Sequence, residues 1–157
     1  MGETAVAALL GTLLATTAQA EGGSVKGSLG YSPEMAWDYN GDNKIERVQW
    51  WIDLDLGTDG QTVKGEAVRY LKNLDTGEKI YQLSGFDMTG SNARRPAPVT
   101  RVVIDGQTAA FTMDDVTYTV KDSSTYSPDE KPTFIAEDGF TREEMRIYDG
   151  TVTVLNK

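Results

Sequence analysis

Between residues 47 and 56 apolar and polar side chains alternate, with Trp51 the one exception. Val48, Trp50, Ile52, Leu54 and Leu56 share one parity; Arg47, Gln49, Trp51, Asp53 and Asp55 share the other. A helix of about 3.6 residues per turn would spread both sets around its circumference, whereas an extended chain sends successive side chains to opposite faces. The segment is predicted as a strand with one dry and one wet face. Residues 63–71 and 79–88 continue in the same style, joined by the turn residues Asp75-Thr76-Gly77. Residues 99–104 and 108–113 flank Asp105-Gly106, a strong hairpin signal. Residues 116–120 follow, with Val116, Tyr118 and Val120 on one face and threonines on the other. Ile147 and residues 151–155 bracket a second pair, Asp149-Gly150.

Helix signals are few. Ser32-Pro33-Glu34 could open a single turn, and Thr141 with Glu144 fits a short capping box. Residues 91–98 and 123–132 read as surface loops, the first carrying the basic doublet Arg94-Arg95. The predicted fold class is all-β: an antiparallel β-sandwich or small β-barrel of roughly 8–10 strands, preceded by a short hydrophobic segment. Residues 21–157 are expected to form a single β domain, because a chain of 157 residues fits one domain.

Composition removes whole classes of function. The 15 basic and 24 acidic residues leave a net charge of -9, which opposes nucleic acid and anionic lipid alike. With neither cysteine nor histidine, structural zinc, thiol catalysis and imidazole-based triads are excluded. Carboxylates, hydroxyls, amides and hard cations remain.

Residues 4–20 carry no charged side chain. Residues 5–15 form an apolar run, and Ala18-Gln19-Ala20 gives the small-x-small pattern that a signal peptidase cuts. Residues 1–20 are therefore expected to be a secretory signal, with a hydrophobic N-terminal helix kept in the protein as the alternative. Export to the periplasm, the cell surface or the extracellular space follows, with membrane contact only if the segment is retained.

The chain Asp38-Tyr39-Asn40-Gly41-Asp42-Asn43-Lys44-Ile45-Glu46 places side-chain oxygens at positions one, three, five and nine. Lys44, at position seven, could add its backbone carbonyl. Such spacing curls a loop so that alternate ligands converge, as calcium with its roughly 6–8 oxygen ligands requires. The nine residues resemble the calcium loops of integrin-type and FG-GAP repeats, and more distantly those of dockerins. The resemblance implies a Ca2+ site formed by Asp38, Asn40, Asp42, Lys44 and Glu46. It departs from an EF-hand in Asn43 and Gln49, where that loop has glycine and glutamate, and from FG-GAP loops in having Glu46 for aspartate. A plain polar turn leading into the next strand is the alternative.

Trp51, on the wet face beside Asp53 and Asp55, offers a stacking platform for a sugar ring whose hydroxyls the acids would bond; burial under a loop or a partner is the competing expectation. Asp53 and Asp55 also stand roughly 7 Å apart along the strand, a spacing open to carboxylate hydrolysis. The adjacent pairs Asp114-Asp115 and Glu143-Glu144 point apart on a strand and suit it poorly. The reading that follows is an exported, non-catalytic binding module with a calcium-stabilised loop and a glycan or protein partner. A structural subunit of a surface assembly that keeps its hydrophobic helix comes second, and a carboxylate hydrolase third.

Overall fold

The computed structural model describes residues 22–81 and 94–157. The hydrophobic segment of residues 1–20 lies outside them, as do residues 82–88 of the strand expected over 79–88. In chain order the strands are β1 (Gly23–Gly30), β2 (Met35–Trp37), β3 (Glu46–Thr58), β4 (Val63–Asn73), β5 (Lys79–Ile80) and β6 (Pro96–Ala97). They continue as β7 (Val99–Asp105), β8 (Thr108–Met113), β9 (Val116–Lys121), β10 (Thr133–Glu137), β11 (Arg142–Arg146) and β12 (Asp149–Asn156).

Two antiparallel sheets form a sandwich. The first runs β12-β1-β3-β4-β5, with β2 beside β3 and β6 beside β4. The second is a simple meander, β7 through β11, in which each strand neighbours the next in sequence. Ile52, Leu54 and Leu56 of β3 lie across from Leu29 and Val25 of β1 and Ala67 of β4, and face Phe111, Met113, Val120 and Phe134 of the meander. The same parity of β3 continues outward through Val48 and Trp50 into a smaller cluster with Leu71 and Ile80. The period-two reading of β3 thus sets the core.

Asp105-Gly106 forms the β7–β8 turn as expected, with Gly106 at φ 60°. Asp149-Gly150 does something else: it opens β12, with Gly150 opposite Leu29. A Cβ at Gly150 would clash with the Ser28 carbonyl oxygen, and its φ of 102° suits glycine alone. The expected capping box at Thr141 and Glu144 is instead a hairpin: Glu144 lies across from Ile135 in β10. Asp138 takes the backbone N–H groups of Phe140 and Thr141, each at 2.9 Å, and that closes a turn before a helix can start. Of the two expected loops, residues 96–97 join β4 as β6, and Ser123–Thr125 form a 3-10 turn.

Candidate functional site

The described loop of residues 38–46 is closed by its own side chains. Asp38 accepts the N–H of Asp42 at 3.0 Å and of Asn43 at 2.9 Å; Asn40 accepts that of Asp42 at 3.2 Å. Asp42 in turn accepts the N–H of Lys44 at 2.9 Å. Gly41 and Asn43 take the left-handed conformation that such a curl needs, at φ 75° and 67°. Glu46 is directed away, to the Asn73 amide of β4 at 2.5 Å. Asp38, Asn40 and Asp42 are thereby drawn around one backbone curl while the third carboxylate, Glu46, serves the sheet. Among the described residues, no group of three acidic side chains is placed to hold a metal ion.

Trp51 lies on the face its parity gives it, but that face is covered at this point. Its side chain is 5 % exposed, its indole N–H donates to Gln49 at 2.7 Å, and the Lys72 ammonium stands 4.1 Å over the ring. No face of the indole is open for a sugar. Asp53 sits two residues on, where it accepts from the Ser28 hydroxyl, the Tyr70 hydroxyl and the Lys79 ammonium, each at 2.7 Å. Burial pushes the Asp53 carboxyl up, and those three donors together outweigh it and hold it below the ordinary range. Tyr70 is pushed up in turn, by its burial and by the carboxylate it bonds. Asp55 is exposed and stands 3.9 Å from Lys26. The two aspartates are thus committed to separate partners.

A different place has the shape of a site. Under the β10–β11 hairpin, where the sheets part, lies a cavity of about 270 Å³. Its wall is aromatic: Tyr118 and Phe134 stack with centroids 5.1 Å apart, and Tyr31 closes on Phe134 at 6.3 Å. Ile52, Met113, Val116, Ala136 of β10 and Met145 complete the apolar lining, and exposed Asp138, Thr141 and Glu143 form the rim. Burial raises the Tyr31 hydroxyl above its usual pKa against the pull of nearby Arg69, so the ring presents a neutral phenol.

Arg69 is the odd member. It occupies the inward parity of β4, across from Ile52, where neighbouring positions hold Ala67 and Leu71. Its guanidinium reaches Asp114 at 2.8 Å. Asp114 and Asp115 form the β8–β9 turn at φ 51° and 64°, two successive left-handed residues without glycine. That turn aims Asp114 at the arginine. Arg69 and Tyr31 also line a wider recess on the other side, with Trp50, Arg95 and Asp114. The paired guanidinium therefore divides an aromatic cavity with an acidic rim from a recess holding a second arginine.

Alternation could not reveal this cavity, because Tyr118, Phe134 and Met113 read as ordinary core positions. Phe140, a large aromatic inside the turn Asp138-Gly139-Phe140-Thr141 where polar residues are usual, is legible in the sequence but stands beside the cavity without lining it. No protein-family model matches the chain, and no curated protein or solved structure matches it either.

Proposed function

We propose that the protein is an exported, non-catalytic binding module that takes an aromatic group of a protein partner into the cavity beneath the β10–β11 hairpin. The observation that carries this reading is the cavity itself, about 270 Å³ walled by Tyr31, Tyr118 and Phe134. An apolar cavity of about 150 Å³ already accepts benzene, whereas pockets for drug-sized ligands begin at about 300 Å³. The space fits a ring the size of a side chain. The covered indole of Trp51 favours a protein over a glycan as partner, and the separate commitments of Asp53 and Asp55 favour binding over hydrolysis.

The probe is N-acetylphenylalanine amide, followed through the methyl NMR signals of Met113 and Met145. At millimolar probe both signals shift. Ala136→Phe, which fills the cavity from β10, abolishes the shift. No shift at millimolar probe, or an equal shift in Ala136→Phe, overturns the reading.

The loop of residues 38–46 has its own place in this proposal, as a calcium-stiffened element held by Asp38, Asn40, Asp42 and the Lys44 carbonyl. Its support is the backbone curl that gathers those three side chains. At about ten times the dissociation constant, calcium stabilises by roughly 1.4 kcal/mol, a rise of about 3–6 °C in melting temperature. Magnesium does less, because it prefers a tighter octahedron and keeps its waters. Thermal melts in EDTA, calcium and magnesium measure this, and Asp42→Ala loses the calcium response. Identical melts in all three solutions reduce the loop to a turn.

A further inference from the structure

Phe140 is 97 % exposed, the most exposed of the large hydrophobic side chains in the described residues. It does not trail on a loose loop. Asp138 holds the backbone N–H of Phe140 and that of Thr141, both at 2.9 Å, and takes the Thr141 hydroxyl at 3.2 Å. Those two backbone bonds, more than any other cause, hold the Asp138 carboxyl below its ordinary pKa, so the brace is ionised and intact at neutral pH. Gly139, at φ 95°, lets the hairpin turn tightly before the ring. A phenyl group braced in water loses hydrophobic stabilisation and gains nothing inside its own fold.

The same hairpin carries the rim of the cavity. Asp138 and Thr141 flank Phe140 in sequence and line the opening, as does Glu143. A plug and a socket of matching size thus lie side by side at one end of the molecule, and the plug stands outside its own socket. From this juxtaposition we infer that the aromatic group received by the cavity is Phe140 of a second copy of this chain, in a two-fold dimer that exchanges the two rings. A two-fold contact uses one self-complementary patch on both subunits, so a patch holding both plug and socket satisfies it twice. The charges agree: Arg142 follows the plug, and Asp138 and Glu143 line the rim.

The inference rests on the cavity accepting an aromatic ring, as proposed above. Two exchanged rings bury far less than the roughly 1,200 Å² of a stable interface, so the dimer is weak and in exchange with monomer. A net charge of -9 on each copy opposes it, and added salt strengthens it by screening.

Sedimentation velocity of the full chain from micromolar to millimolar concentration tests this. The wild type shifts from monomer to dimer. Phe140→Ser, a change at an exposed tip that leaves the core untouched, weakens association by about 100-fold or more, since each dimer loses two buried rings. Ala136→Phe, with its socket filled, does the same. Mixing the two variants recovers part of the association, about 10-fold over either alone, because the mixed pair keeps one plug and one socket, and N-acetylphenylalanine amide dissociates the wild-type dimer. A chain that stays monomeric at millimolar concentration while the probe still shifts Met113 and Met145 overturns the exchange and leaves the binding reading standing. A dimer that persists in Phe140→Ser also overturns the exchange. If neither probe nor second copy occupies the cavity, both fall together.

Discussion

Trp51→Ala is expected to lower the stability of the protein by about 3–5 kcal/mol, the range for truncating a large buried aromatic. The indole is 5 % exposed and fits against the backbone of β1: a Cβ at Gly30 would come within 3.0 Å of it. Its removal leaves a cavity beside a sheet, which cannot collapse without breaking ladder bonds on both sides of β3. The Gln49 oxygen, which accepts from the indole at 2.7 Å, is stranded as well. In a domain of this size the melting temperature falls by on the order of 10 °C. Trp50, half-buried against Leu71 and Ile80, is the control, and its truncation costs less. Chemical denaturation of both variants measures the difference. A Trp51→Ala protein within about 0.5 kcal/mol of wild type would place the indole in solvent and reopen the stacking platform.

The same residue marks where the sequence stops being readable. Alternation placed Trp51 on the face opposite Ile52 and Leu54, and the register agrees: it lies across from Tyr70, and Asp53 from Val68. What alternation could not tell is that this face has its own buried layer, with Tyr70 1 % and Val68 2 % exposed. Parity is a local property of an extended chain, whereas cover comes from segments distant in sequence. In β4 the cue disappears altogether, because Ala67, Val68, Tyr70 and Leu71 are apolar on both parities. Arg69 among them could not be assigned inward until Ile52 was known to be its neighbour.

Turn chemistry was legible where the turn is local. Asp105-Gly106 needs only its own backbone to form a hairpin, and does so. Asp149-Gly150 has the same letters, yet glycine is required there by the carbonyl of Ser28 more than a hundred residues earlier. The cavity was illegible for the same reason. Tyr31 enters it after β1, Met113 from β8, Phe134 from β10 and Met145 from β11, and nothing in any one segment announces that these four segments leave a gap between them. The all-β class, by contrast, followed from short-range patterns alone.

The second large effect is expected at Asp122, whose role depends on a strand thirty residues away. Among the described residues β12 is an edge strand, hydrogen-bonded to β1 on one side. On its other side, Asp122 accepts the Val154 N–H at 2.7 Å, and Ser123 accepts that of Val152 at 2.7 Å. Side chains thus occupy the donors that an open edge would offer to another chain. Asp122 also caps the 3-10 turn through the Ser124 N–H at 2.9 Å and hydroxyl at 2.6 Å. Asp122→Ala strands a buried backbone donor, at about 1–3 kcal/mol, and removes a cap worth about 1 kcal/mol, so a loss of about 2–4 kcal/mol is expected. Asp122→Asn keeps one acceptor oxygen and loses less. The pH dependence distinguishes a charged cap from a neutral one. The Ser124 hydroxyl first, then the Val154 and Ser124 N–H groups, hold the Asp122 carboxyl below its ordinary pKa. A carboxyl depressed on folding contributes fully above its unfolded value of about 3.9 and loses that contribution as the pH falls through the folded one. The stability gap between wild type and Asp122→Asn therefore narrows from neutral pH to about pH 3. Denaturant midpoints across that range measure it. A gap that stays constant would mean that the carboxylate charge contributes nothing at the β12 edge, and a wild-type-like Asp122→Ala would mean that the edge is not capped at all.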